Sequence, residues 1–184
     1  MKKISEKILF EGNWVSVKEI LYENRDGVQI AWESVHRMKC TVGVVIVARL
    51  MPSKRFVLIK QFRPAVNGYI LGFPAGLSFD NPEHALVELK EETGYTGKIV
   101  SVSPVLKTGS SLINDSGRII GIEVDEKDPA NHNPLQELEP SEDIEVCLVH
   151  KDKVMDFLKK EQADGVHIAS NLWYLFGLTE VMRD

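Results

Sequence analysis

Ten consecutive residues, Thr41 to Leu50, read TVGVVIVARL, and the run has almost no polar alternation. A strand with that pattern is buried on both faces, because a half-exposed strand would alternate polar and apolar residues. After a turn at Pro52-Ser53-Lys54 comes a second apolar run, Phe56 to Phe62 (FVLIKQF), and the two read as neighbours in a central sheet. At 184 residues with 43% hydrophobic content, the chain suits one domain with a sizeable core.

Before these strands, Ile8 to His36 reads as strand, turn, strand. Val15 and Val17 alternate with Trp14, Ser16 and Lys18, and Asn24-Arg25-Asp26-Gly27 is a hairpin tip ahead of Val28 to Val35. A hairpin of this size cannot cover both its faces, so the arm is expected to lie against the main domain or a second subunit. Beyond the central strands, Lys98–Leu106, Arg118–Val124 and Ile144–Val149 read as strands, and Lys151–Glu161 and Ile168–Met182 as helices. The helical stripes are Val154, Phe157 and Leu158 in the first, and Leu172, Leu175 and Phe176 in the second. The segment Asp125 to Glu139 has little periodicity and is long enough to be mobile or to cover a site.

The stretch Phe73 to Tyr95, FPAGLSFDNPEHALVELKEETGY, carries the chemistry. Asn81 suits an N-cap, Pro82 the first helical position and Gly94 a left-handed C-terminal residue, which frames a helix from about Pro82 to Thr93. Glu88, Glu91 and Glu92 stand at i, i+3 and i+4 and are expected to converge on one face, while Leu86 and Leu89 face a core. Like charges so spaced cost a helix roughly 0.2–0.5 kcal/mol per pair, which a hard divalent cation would offset. A solvated helix face would read the same way. The difference here is the preceding Pro-Ala-Gly, read as a tight turn that aims a main-chain carbonyl at the same cation, with Gly76 allowing close approach.

Charge and motifs exclude several classes. The 22 basic and 27 acidic residues leave a net charge of -5, which gives no general reason to bind nucleic acid or an anionic membrane. Cys40 and Cys147 lack metal or disulfide-framework spacing and read as free thiols. The five histidines show no HxH or HExxH spacing, and neither a P-loop nor a GxSxG elbow occurs. MKKISEKILFEG has no apolar h-region and no stretch reaches transmembrane length, so the expected compartment is the cytoplasm.

The segment Glu88-Leu89-Lys90-Glu91-Glu92-Thr93-Gly94-Tyr95 resembles the second half of the Nudix hydrolase signature, G-x5-E-x7-R-E-U-x-E-E-x-G-U. The first half departs from it: Val87 stands at the Arg position, Phe79 at the first Glu position, and Gly76 lies three residues too close to the helix. The order Trp14-Val15-Ser16-Val17, Trp32 to Arg37, Lys60-Gln61-Phe62-Arg63-Pro64, Gly68-Tyr69 and Phe73 to Leu77 is similar to the ADP-sugar pyrophosphatase branch, which includes ADP-ribose hydrolases. The resemblance covers roughly residues 12 to 107 well and weakens afterwards.

That resemblance implies an α/β fold, a Nudix-type α/β/α sandwich with a mixed central sheet and an N-terminal antiparallel β arm. Residues 1–38 would be the arm, exchanged within a homodimer, and 39–184 the hydrolase domain. It implies Mg2+, or Mn2+ in its place, held by Glu88, Glu91, Glu92 and the Ala75 carbonyl. Trp14 and Trp32 would enclose the adenine, Glu33 would read its edge, and Arg37 and Arg63 would bind the diphosphate. Glu142, in the context Glu142-Asp143-Ile144-Glu145-Val146, matches a glutamate assigned to water activation, with Glu91 a second catalytic carboxylate. The activity implied is hydrolysis of ADP-ribose or a related nucleoside diphosphate sugar to AMP (or another NMP) and a sugar phosphate. Two alternatives stay open: a Nudix-fold protein that binds nucleotides without turnover, and a hydrolase of another nucleoside diphosphate compound.

Overall fold

The computed structural model describes residues 1–39 and 42–178, so Cys40, Thr41 and the end of the C-terminal helix expected to reach Met182 lie outside the described residues. The first three strands, β1 (Lys2–Glu11), β2 (Val15–Glu23) and β3 (Gln29–Arg37), form an antiparallel sheet in the order β1-β2-β3. The β2–β3 tip is the expected turn: Gly27 has φ of 79°, and Asn24 Oδ1 accepts from the N–H groups of Asp26 and Val28, both at 2.9 Å. The reading from Ile8 missed the first half of β1, whose residues are exposed along its whole length and carry no burial periodicity. On β2 the buried side chain is Ser16, and Val15 is exposed.

Strands β4 (Val42–Met51), β5 (Arg55–Arg63), β6 (Gly68–Gly72) and β7 (Ala75–Leu77) follow, then helix α1 (His84–Thr93). Next come β8 (Lys98–Val102), β9 (Leu106–Lys107), β10 (Ser116–Asp125), β11 (Ile144–His150), α2 (Val154–Ala163), β12 (His167–Ile168) and the short α3 (Ser170–Leu172). Among the described residues nine strands make a mixed sheet, ordered β12-β6-β5-β4-β10-β8, with β11 paired to β5, β7 to β4 and β9 to β10. β4 and β10 run parallel in register from Val42 against Ser116 to Met51 against Asp125; the β4–β5 and β5–β6 pairs are antiparallel.

Cover on both faces is what the apolar run at β4 demanded. Val44, Ile46, Ala48 and Leu50 pack with Ile120, Ile122 and Val124 of β10 under Ala85 and Leu89 of α1. Val45 and Val47, one residue out of step, meet the second core, built from Leu58, Leu71, Phe73, Val154, Leu158, Leu172 and Phe176. The result is an α/β/α sandwich with α1 on one side and α2 with the C-terminal turns on the other.

Four local expectations change. Ala75-Gly76-Leu77 is a short strand rather than a tight turn, because β5 covers β4 only at Ala48 and Arg49 and leaves the first half of β4 open to β7. Ser103-Pro104-Val105 interrupts the strand expected from Lys98 to Leu106. The segment from Asp125 to Glu139 is tied down: Glu137 N donates to Glu91 O at 2.8 Å, Gln136 Nε2 to Glu92 O at 2.6 Å, and buried Asn131 Nδ2 to Asp125 O at 2.9 Å. After Gly165, at φ of 88°, the chain makes β12 against β6 and then α3 with a π-type turn over Trp173–Gly177, which buries Leu172 and Phe176 but leaves Leu175 exposed.

Candidate functional site

Helix α1 ends at Gly94 as the sequence required, but it starts at His84 rather than Pro82: Glu83 holds the capping position with no side-chain hydrogen bond, and Asn81 closes the turn before it. Asn81 Oδ1 accepts from Glu83 N at 3.1 Å, and Gly94, at φ of 76°, donates its N–H to Lys90 O at 2.7 Å. With Ala85 and Leu89 in the core, the i+4 step from Glu88 carries Glu92 toward the sheet. Glu92 is 2% exposed, and its Oε2 accepts from Ala75 N at 2.9 Å. Glu88 is partly buried over the next residue of β7: a Cβ on Gly76 would overlap its carboxyl group. Glu91 is turned about 100° from Glu92 around the helix and is exposed. The expected three-acid face is thus two acids against β7 and one outside. Among the described residues, no three His, Cys, Asp or Glu side chains gather into a ready-made ion cage.

The two inward carboxylates are electrostatically unsatisfied. Burial pushes Glu92 up to about 8, with further upward pressure from Glu88 and Glu142, opposed by the Ala75 N–H and by Arg63. Glu88 is also raised, by burial first and then by Glu91, Glu142 and Glu139, against the pull of His84. Glu142 therefore acts on both acids across space. It is held by its own loop, where its Oε2 accepts from Glu139 N at 3.0 Å. Two crowded carboxylates short of positive charge, beside the backbone of β7, are a donor set that fits a hard divalent cation.

Ala75, Gly76 and Leu77 also form one wall of a cavity of about 440 Å³. Arg37 at the end of β3 and Arg63 at the end of β5 line it, with Thr108, Asp115 and Ser116. The loop carrying Asp115 is docked on the arm: Val35 N donates to Leu112 O at 2.8 Å, and Asn114 N to Val35 O at 3.2 Å. Arg37 pairs with Asp115 at 2.8 Å, while Arg63 makes no ion pair among the described residues.

The aromatic and adenine-edge candidates do not line this cavity: among its described lining residues are neither Trp14, Trp32 nor Glu33. Trp14 is 67% exposed with the Lys39 ammonium 4.6 Å from its ring centroid. Trp32 Nε1 donates to Ser111 O at 3.0 Å, anchoring the same docked loop. Glu33 is exposed, and as Trp32's strand neighbour it points to the opposite face of the arm. Sequence reasoning missed Asp115, in an aperiodic polar loop, Ser116 at the start of β10, and His84, whose i, i+4 spacing to Glu88 was the available signal.

No family model matches the chain. It is 32% identical over 179 residues to a Caenorhabditis elegans protein carrying the name nudix hydrolase 2, covering 91% of this chain and 80% of that protein. It is 34% identical to the ADP-ribose pyrophosphatase of Saccharomyces cerevisiae, covering 83% of this chain and 71% of the yeast protein. Against the ADP-sugar pyrophosphatase of Mus musculus the identity is 30%, with 95% and 84% covered. The fold is shared with the crystal structure of an ADP compounds hydrolase at a TM-score of 0.66 and 22% identity, over 86% of this chain and 84% of that one. No helix among the described residues is long and apolar enough to cross a membrane.

Proposed function

Because the chain belongs to the Nudix hydrolase family, we propose that it hydrolyses the diphosphate bond of ADP-ribose or a related nucleoside diphosphate sugar, giving AMP (or another NMP) and a sugar phosphate. One observation carries the reading: the β7 backbone that walls the arginine-lined cavity is the same backbone against which Glu88 and Glu92 lie. The acids assigned to the cation and the guanidiniums assigned to the diphosphate thereby share the β7 backbone, although neither Glu88 nor Glu92 is among the described residues lining the cavity. The names of the yeast and mouse relatives support the choice of an ADP-sugar.

Glu88, Glu91, Glu92 and the Ala75 carbonyl are assigned as the groups that would hold the cation, Mg2+ or Mn2+. When bound, such an ion neutralises non-bridging phosphate oxygens and acidifies water. The chain's own residues do the rest. Arg37 and Arg63 bind the diphosphate, fix its orientation and offset the charge that repels an incoming anion. The water oxygen bonds to phosphorus as the bridging P–O bond breaks, and the lost proton passes to a carboxylate. Glu142 is assigned that role because its charge already reaches both inward acids, with Glu91 the second candidate. Trp14, Trp32 and Glu33 are assigned to the adenine; none of them is among the described residues lining the cavity of one chain, which supports a second subunit completing that part of the site. The same reading makes residues 1–38 a dimerising arm on a 39–184 hydrolase domain, in a cytoplasmic homodimer.

The test is incubation of the purified protein with ADP-ribose and Mg2+, followed by chromatography of the products. AMP and ribose 5-phosphate are expected, and EDTA should stop their appearance. Saturable ADP-ribose binding with no cleavage of any nucleoside diphosphate sugar would instead establish a silent binder, a reading favoured by the departures at Val87 and Phe79.

A further inference from the structure

His84 occupies the first turn of α1, one turn before Glu88. Its Nδ1 atom is buried and makes no hydrogen bond, yet lies 3.4 Å from Glu88 Oε1. A buried polar atom without a partner costs about 1–3 kcal/mol, and the facing carboxylate is the acceptor that would relieve it. The Glu88 carboxyl in turn fills the space over Gly76, where small displacements would carry it away from β7. Val87 and Phe79 lend no support there, since both are apolar and exposed, at 47% and 71%.

We propose that His84 is a positioning residue for Glu88: it carries a proton on Nδ1, donates it to the Glu88 carboxylate and holds that carboxylate over Gly76. The role in ion binding rests on the reading of Glu88 as a cation ligand, whereas the contact itself does not. Conservation of the donor matters more than conservation of the ring. An asparagine at the same place puts its Nδ2 where the histidine has Nδ1, so His84→Asn should retain the function and His84→Ala should lose it.

Two measurements test this. Calorimetric titration of the substrate-free protein with MnCl2 should show affinity about tenfold weaker in His84→Ala, within the 10- to 100-fold range for groups that orient metal ligands, and within about twofold of wild type in His84→Asn. Long-range 1H–15N spectra of the metal-free protein should show His84 protonated on Nδ1, and Glu88→Ala should shift it to the Nε2-protonated tautomer. The proposal is overturned if His84→Ala binds Mn2+ like wild type, if His84→Asn is as weak as His84→Ala, or if the wild-type ring is protonated on Nε2 alone. A wild-type protein that takes up no Mn2+ while keeping the Nδ1-protonated ring upholds the contact and overturns the metal reading of Glu88 instead.

Discussion

Arg37 and Asp115, 78 positions apart in sequence, form a forked ion pair: Nη2 donates to Oδ2 at 2.8 Å, and Nε faces both carboxylate oxygens at 3.2 and 3.3 Å. The pair joins the arm to the loop after β9 and sets a negative charge beside the guanidinium assigned to the diphosphate. Because it is partly exposed, its stabilisation is modest, about 0–1 kcal/mol. Its effect on anion binding should be the larger one.

Asp115→Asn should therefore tighten binding of AMP and of ADP-ribose by about fivefold at low salt, the equivalent of about 1 kcal/mol between unit charges a few ångströms apart in water. The gain should fade as ionic strength rises. Calorimetric titration at two salt concentrations checks both points. Unchanged affinity would remove Arg37 from the diphosphate site.

Gly76→Ala tests the packing of Glu88 on β7. The new methyl meets the far end of a flexible side chain, so the carboxylate moves and the backbone stays. Thermal midpoint and circular dichroism should remain close to wild type, while turnover falls on the order of 10²-fold, as expected when a reacting group is misplaced by about 1 Å. A variant that keeps wild-type turnover would dissociate Glu88 from catalysis.

Burial pushes the Cys147 thiol from 9.0 up to about 11. The folded state holds this proton more tightly than the unfolded chain, so the associated stability is complete below pH 9 and is lost as the pH rises through about 11. In a Cys40→Ser background, iodoacetamide should label Cys147 far more slowly at pH 8 than it labels a model thiol. The urea midpoint should fall between pH 9 and 11, less steeply in Cys147→Ala. Rapid labelling of folded protein at pH 8 would contradict this.

Every residue of β1 is exposed, among them Ile4, Ile8 and Phe10. An exposed strand of that length, at the edge of a three-stranded sheet, presents unpaired backbone and apolar side chains to a partner. Light scattering should return the mass of a dimer, and deletion of residues 2–11 should shift it toward a monomer. A monomer at micromolar concentration would contradict the exchanged arm.

Much of this architecture was legible because burial leaves a strong periodic trace. The unbroken apolar run of β4 implied cover on both faces, and Gly94 marked the end of α1 because its backbone chemistry is local, whereas Asn81 closes the turn ahead of the helix rather than capping it. Where partners come from far away, the sequence was silent. Asp115 gains its role only when the β9–β10 loop docks on Val35, and Ala75-Gly76-Leu77 becomes a strand only because β5 leaves half of β4 unpaired. Convergence of all three acids on one inward face did not follow from spacing alone: i, i+3 places Glu91 near Glu88 but about 100° from Glu92, and the core beneath Ala85 and Leu89 decides which of them turns inward.

The most direct test is a crystal structure with Mg2+ and a non-hydrolysable ADP-ribose analogue. The account predicts an ion ligated by Glu88 and Glu92, with the diphosphate between that ion and the guanidiniums of Arg37 and Arg63. A bound analogue with no ion at those carboxylates, or with its diphosphate remote from both arginines, would contradict it.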